Sequence, residues 1–174
     1  MATTKWVIDP GHSEIQFKVK HLAIANVSGT FKTFQGTVES DDENFDHAKI
    51  SFEIETESID TNNKDRDVHL RSDNFLNAIK YPKIAFNGDL QEEDGDYKLI
   101  GDLTILETTK QIVLAVEHTG TGKGRFNDIR SGFEITGKLN RKDFGLNFNL
   151  LTEVGNMVVG EEVKLLCTVE LIKQ

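Results

Sequence analysis

Glu14-Ile15-Gln16-Phe17-Lys18-Val19-Lys20 is the stretch that decides the fold. Its odd positions are apolar and its even positions are charged or carry an amide. Only a half-buried strand turns that period of two into one dry face and one wet face. The same alternation returns in Lys49-Ile50-Ser51-Phe52-Glu53-Ile54-Glu55 and in Phe133-Glu134-Ile135-Thr136-Gly137-Lys138-Leu139. It returns again from Glu162 through Val163, Leu165, Cys167, Val169 and Leu171. The pattern predicts strands over 6–9, 13–21, 27–40, 48–57, 83–91, 97–106, 111–119, 130–141 and 158–172. Runs of about ten residues reach roughly 33 Å, the height of a tall barrel wall.

Between the runs the turn chemistry is explicit. Glu92-Glu93-Asp94-Gly95-Asp96 joins two alternating segments and predicts a hairpin. Gly120-Thr121-Gly122-Lys123-Gly124 reads as a flexible loop; it opens no helix after a strand and so is no phosphate-binding loop. Gly145, after Asn140-Arg141-Lys142-Asp143-Phe144, is free to take a positive backbone angle. Alternation fails only from Thr61 to Asn77. There Thr61 or Asn62 offers a helix cap, and Val68, Leu70, Phe75 and Leu76 offer apolar anchors. A short helix over 63–71 is expected, placed to cover and gate one barrel mouth. Residues 111–116 are apolar on both faces, which calls for an outer cover from a loop or a partner subunit.

Composition narrows the function. One domain accounts for 174 residues, and a net charge of -9, from 29 acidic against 20 basic side chains, disfavours capture of nucleic acid or of an anionic membrane surface. No run is long enough for a membrane helix. The first residues lead straight into a strand with no secretory signal, so a cytoplasmic location is expected, or a periplasmic one if a leader has been removed. Cys167 has no internal partner and sits on the apolar face of the last strand, as an inert core thiol would.

Several strings occur together: WVIDPGHS at 6–13, FKVKHL at 17–22, VSGTF at 27–31, SIDTNNKDRDVHLRSDNF at 58–75, YPKIAF at 81–86, GDLTI at 101–105 and GKLNRKDFGL at 137–146. In this order the chain resembles the YceI-like family of polyisoprenoid-binding proteins, from Trp6 to about Leu171. The spacing of Arg66, Asp67, His69, Leu70 and Pro82 is the most specific part of the likeness. The resemblance implies an all-β, extended eight-stranded antiparallel lipocalin-like barrel, capped by the helix, around a hydrophobic tunnel for one long isoprenoid or other amphiphilic lipid. It implies a homodimer, no cofactor and no catalysis.

Candidate site residues follow from parity and from the likeness together. An eight-stranded barrel is near the size at which side chains either fill the interior or leave room for one ligand, and alternation alone leaves both open. In either case Phe17, Val19, Phe52, Ile54, Phe86, Phe133 and Ile135 point inward. Phe31, Leu103 and Ile105 join them as expected lipid contacts, with Leu70 and Phe75 from the helical segment. His21 continues the inward parity and would meet a lipid head or bond a backbone carbonyl. Arg66 and His69 share a helix face and would touch a head group, or Arg66 would tie the helix to Asp60; Asp67 and Arg71 could pair across one turn. Asp9, His12 and Ser13 have the residue types of a catalytic triad, but adjacent His12 and Ser13 point opposite ways on a strand, and no nucleophile elbow is present. The five histidines show no zinc-ligand spacing. The chief alternative to an isoprenoid is a fatty acid or fatty amide; a hydrolase or isomerase acting on a held lipid, and a structural barrel with a filled core, stand as further alternatives.

Overall fold

Pro10 interrupts the first stave of the barrel, because it has no N–H to give a ladder. A 3-10 turn, Pro10–His12, forms there, with the Asp9 carboxylate accepting from the Gly11 N–H at 3.0 Å. It separates β1 (Thr3–Ile8) from β2 (Glu14–His21). The computed structural model describes residues 3–22, 24–41, 44–148 and 159–174; Val158, the expected start of the last strand, lies outside them. The expected run 27–40 is likewise two pieces, β3 (Ala25–Phe31) and β4 (Phe34–Asp41), bent at residues 32–33. A third break, the 3-10 turn Thr56–Ser58, divides β5 (Asn44–Glu55) from β6 (Ile59–Asp60).

The remaining staves are unbroken: β7 (Lys83–Glu93), β8 (Asp96–Ile105), β9 (Thr108–Lys123), β10 (Ile129–Asn140) and β11 (Val159–Lys173). All pairings are antiparallel. They run β1, β4, β5, β7, β8, β9, β10, β11, and β11 closes back on β1 through Trp6 opposite Lys173. Beyond that closure β11 pairs with β2, β2 with β3, and β3 with β6. Among the described residues, counting each broken pair as one stave, this is an eight-stranded barrel with additional strands and one short helix. Among the described strands, closure of β11 on β1 leaves β3, paired with β6 only at Thr30 and Phe31, as the short exposed edge.

The Asp94-Gly95 link is a two-residue hairpin turn with both φ angles positive, 53° and 87°, the twist that right-handed strands require. The glycine loop is shorter than expected. Gly120 to Lys123 belong to β9, paired with residues 129–132 of β10, and a bulge between Gly132 and Phe133 absorbs the extra residue. The facing strand supplies backbone partners that no local pattern could reveal. Helix α1 spans Lys64–Arg71, and its N-cap is Asn63, whose side chain accepts from the Arg66 N–H at 3.0 Å, rather than Thr61 or Asn62.

Candidate functional site

Inside the barrel lies a cavity of about 290 Å³ with an almost wholly apolar lining. That is room for about ten waters, in a place where water would find few partners. At about 24 cal/mol per Å³, the slope for cavities opened by truncation, filling such a volume is worth at most about 7 kcal/mol. The size falls at the lower end of small-ligand sites.

The cavity exists because glycines occupy inward positions. A Cβ at Gly36 would stand 2.7 Å from the Phe52 ring, and Cβ atoms at Gly88 and Gly101 would stand 2.9 and 2.6 Å from the tip of Phe86. Phe17 covers Gly29 and Leu114 covers Gly137 in the same way. Each large side chain lies flat along the wall over a glycine instead of reaching across the lumen. Aromatic area is thus spent on the wall, and the centre stays open.

One end is sealed. Trp6 is 0% and Phe45 1% exposed, with ring centroids 5.1 Å apart, and Phe45 meets Phe133 edge-on at 4.9 Å. The Trp6 indole N–H donates to Ser40 Oγ at 3.0 Å, joining β1 to β4. Behind Phe133 the His118 ring stacks at 4.6 Å, its Nε2 2.7 Å from the buried Ser131 hydroxyl and 3.2 Å from Thr121. At the other end the liners Leu70, Val19, Leu139, Leu146, Val159 and Val163 are only half-buried, so the described residues place the mouth beside α1.

Twelve of the expected wall residues line this cavity. Phe17, Val19 and Phe31 come from β2 and β3, Phe52 and Ile54 from β5, and Phe86, Leu103 and Ile105 from β7 and β8. Phe133 and Ile135 come from β10, Leu70 and Phe75 from α1 and the turn after it. Three others stand elsewhere. His21 is exposed where β2 ends, so its inward parity lapses with the strand. Arg66 donates to the Thr61 hydroxyl and carbonyl, both at 2.7 Å, and so ties α1 to the preceding turn, not to Asp60, which instead accepts from the Asn62 N–H at 2.8 Å. His69 is exposed, edge-on to Phe75 and to Phe148 at 5.1 and 5.0 Å. Asp67 turns inward to accept from the Thr61 N–H and hydroxyl, leaving Arg71 to reach the Glu57 carbonyl at 3.5 Å. Val113 on the outer face of β9 is 56% exposed in the monomer.

Sequence reasoning missed Arg141, which lines the cavity and is only 3% exposed. Its Nε donates to the Gly160 carbonyl at 2.8 Å, Nη1 to those of Leu146 and Phe148 at 2.6 and 2.9 Å, and Nη2 to that of Val159 at 3.2 Å. Burial pulls the guanidinium below its ordinary pKa. The signal was its place within GKLNRKDFGL; the conflict between a charge and an interior position hid its role.

Asp9, His12 and Ser13 do not form a catalytic relay. His12 Nδ1 lies 2.8 Å from Asp9, while the Ser13 hydroxyl accepts from the Glu170 N–H at 3.0 Å. Asp9, His12 and Glu170 do approach one another closely enough to suggest a metal. A guanidinium already stands among them: Arg130 Nη1 lies 2.7 Å from Asp9 and 3.0 Å from Glu170, and its Nη2 is 3.1 Å from Asp128. The cluster is a surface clasp between the first turn, β10 and β11, and its positive charge is supplied by the protein itself.

Comparison with known proteins agrees with this architecture. The model of the YceI-like domain matches residues 6–171. The protein SERP2314 of Staphylococcus epidermidis is 38% identical over 162 residues, covering 92% of this chain and 93% of the relative. The crystal structure of a Campylobacter jejuni YceI protein superposes with a TM-score of 0.77 at 32% identity, covering 90% of this chain and 91% of that one. A polyisoprenoid binding domain from Saccharophagus degradans shares the fold, with a TM-score of 0.70 at 13% identity over 97% of this chain and 98% of that domain. The closed eight-stave barrel, its apolar cavity and these matches make the chain a member of the YceI-like family, lipocalin-like barrels associated with hydrophobic cargo.

Proposed function

We propose that this protein binds a long-chain isoprenoid lipid, of the polyprenyl or isoprenoid-quinone type, and sequesters or carries it without catalysis. The single observation that carries the reading is the 290 Å³ apolar cavity, kept open by wall glycines and accessible beside α1. Burying hydrocarbon there gains roughly 25 cal/mol per Å² of apolar surface removed from water, on both cargo and wall. The polyisoprenoid binding described for the Saccharophagus degradans domain supports the choice of cargo. A fatty acid or fatty amide is the second reading, because the wall meets cargo as hydrocarbon and offers few hydrogen-bonding groups to select a head. Protein purified without detergent, extracted with organic solvent and read by mass spectrometry tests this. Stoichiometric isoprenoid is expected. Acyl lipid would select the second reading, and an empty extract with no uptake of added geranylgeraniol would overturn both.

A further inference from the structure

Among the described residues five large hydrophobic side chains are strongly exposed, and three of them, Ile24 at 82%, Val68 at 61% and Ile79 at 99%, stand at the mouth end of the barrel. Ile24 follows β2 at the tip of its hairpin with β3, Val68 is on the outer side of α1, and Ile79 is in the turn that follows Phe75 and Leu76. Leu70, Phe75 and Leu76, from the same segment as Val68 and Ile79, line the cavity. The segment that carries Val68 and Ile79 on its outside thus also supplies apolar lining to the cavity. Three strongly exposed aliphatics at one end of the barrel are apolar surface that a lipid interface would bury.

Charge is divided along the same axis. The sealed end carries Asp41, Asp46, Glu92, Glu93, Asp94 and Asp96 on its rim. The mouth end mixes cations with carboxylates: Lys20, Lys64, Arg71 and Lys80 stand among Glu57, Asp65 and Asp73. Carboxylates thus outnumber cations on the sealed-end rim even with Lys98, Lys123, Arg125 and Lys173 counted there, whereas the mouth end is mixed. A molecule so polarised orients in the field of an anionic surface with its acidic end outward.

We propose that the mouth end docks on a phospholipid bilayer, with Ile24, Val68 and Ile79 entering the interface and the cavity opening toward the lipid. This rests on the reading of the cavity as a lipid site, and it adds the source from which cargo is drawn. Shallow insertion of a few aliphatic side chains gives reversible contact, as a carrier requires. The aliphatic contact supplies the attraction; the charge division supplies the orientation.

Flotation of the cargo-bearing protein with phosphatidylcholine vesicles tests the proposal. Wild type is expected to float, and the Val68→Asp/Ile79→Asp double variant to float at least tenfold less. Both positions are exposed, so folding and extractable cargo are expected to be unchanged. Phe126→Asp, an equally exposed site at the sealed end, is the control and should float like wild type. Failure of wild type to float, or equal flotation of the double variant, overturns the docking proposal while leaving a cargo-filled cavity intact. A drop in molecular mass of the double variant by light scattering would also overturn it, making the patch an interface between copies of this chain. An empty extract from wild type would count against the cargo reading, whatever the vesicles do.

Discussion

Removing the cargo should lower the stability of this barrel by an amount its cavity sets. The ceiling is what filling 290 Å³ is worth, about 7 kcal/mol. The working value is set by affinity: cargo at a hundred times its Kd stabilises by about 2.7 kcal/mol. A chain of this size shifts its Tm by about 2–4 °C per kcal/mol, so loading at that level should raise Tm by roughly 5–10 °C. The assay is scanning calorimetry on protein unfolded, extracted with solvent and refolded, then measured with and without added lipid. Ile135→Trp supplies an internal control, since Ile135 lines the cavity opposite Cys167. In an open lumen the larger ring finds room, so the stripped variant should melt no lower than stripped wild type and should gain less from lipid. A packed core would instead lose about 1–3 kcal/mol to overpacking. A stripped protein that melts at the same temperature as the loaded one, together with a destabilised Ile135→Trp, would refute the open-cavity reasoning.

Other expectations are smaller in scope. Gly137→Ala should push the Leu114 side chain toward the lumen and reduce lipid uptake severalfold in a titration while leaving the barrel folded; Gly88→Ala, whose Cβ would stand 2.5 Å from the Ile100 carbonyl, should instead lower Tm. Burial pushes the Cys167 thiol up to about 11, so only about a thousandth is thiolate at pH 8, and maleimide labelling should be slow and slower still with lipid bound. Arg130, then His12, holds the Asp9 carboxyl below its ordinary 3.8. That stabilisation is present above about pH 4 and is lost as pH falls through the lowered folded-state pKa, so the Tm gap between wild type and Arg130→Met should close on acidification from pH 6 to 2. Lipid should slow hydrogen exchange in α1 more than in β11, with Leu70→Ala speeding lipid release; equal protection of both elements, or an unchanged release rate, would leave α1 as packing alone.

The sequence by itself determined the sheet, its dry face and most of the wall. The period of two in residues 14–20 assigns a face to every side chain without knowledge of any neighbour, so Phe17, Val19, Phe52, Ile54, Phe86, Phe133 and Ile135 could be placed before any pairing was known. The Asp94-Gly95 hairpin and the helix near residues 64–71 were legible for the same reason, being local chemistry. Only the tertiary structure decided whether the interior is filled. Gly36, Gly88 and Gly101 read locally as gaps in a strand pattern; each becomes a seat for a ring because of where the phenylalanine side chains lie on the closed wall. Arg141 was hidden because the carbonyls that receive its guanidinium, those of Leu146, Phe148, Val159 and Gly160, come together only when β10 and β11 pair. Alternation fixes direction, which is local. Volume and polar satisfaction belong to the closed barrel, where residues far apart in the chain compete for the same space.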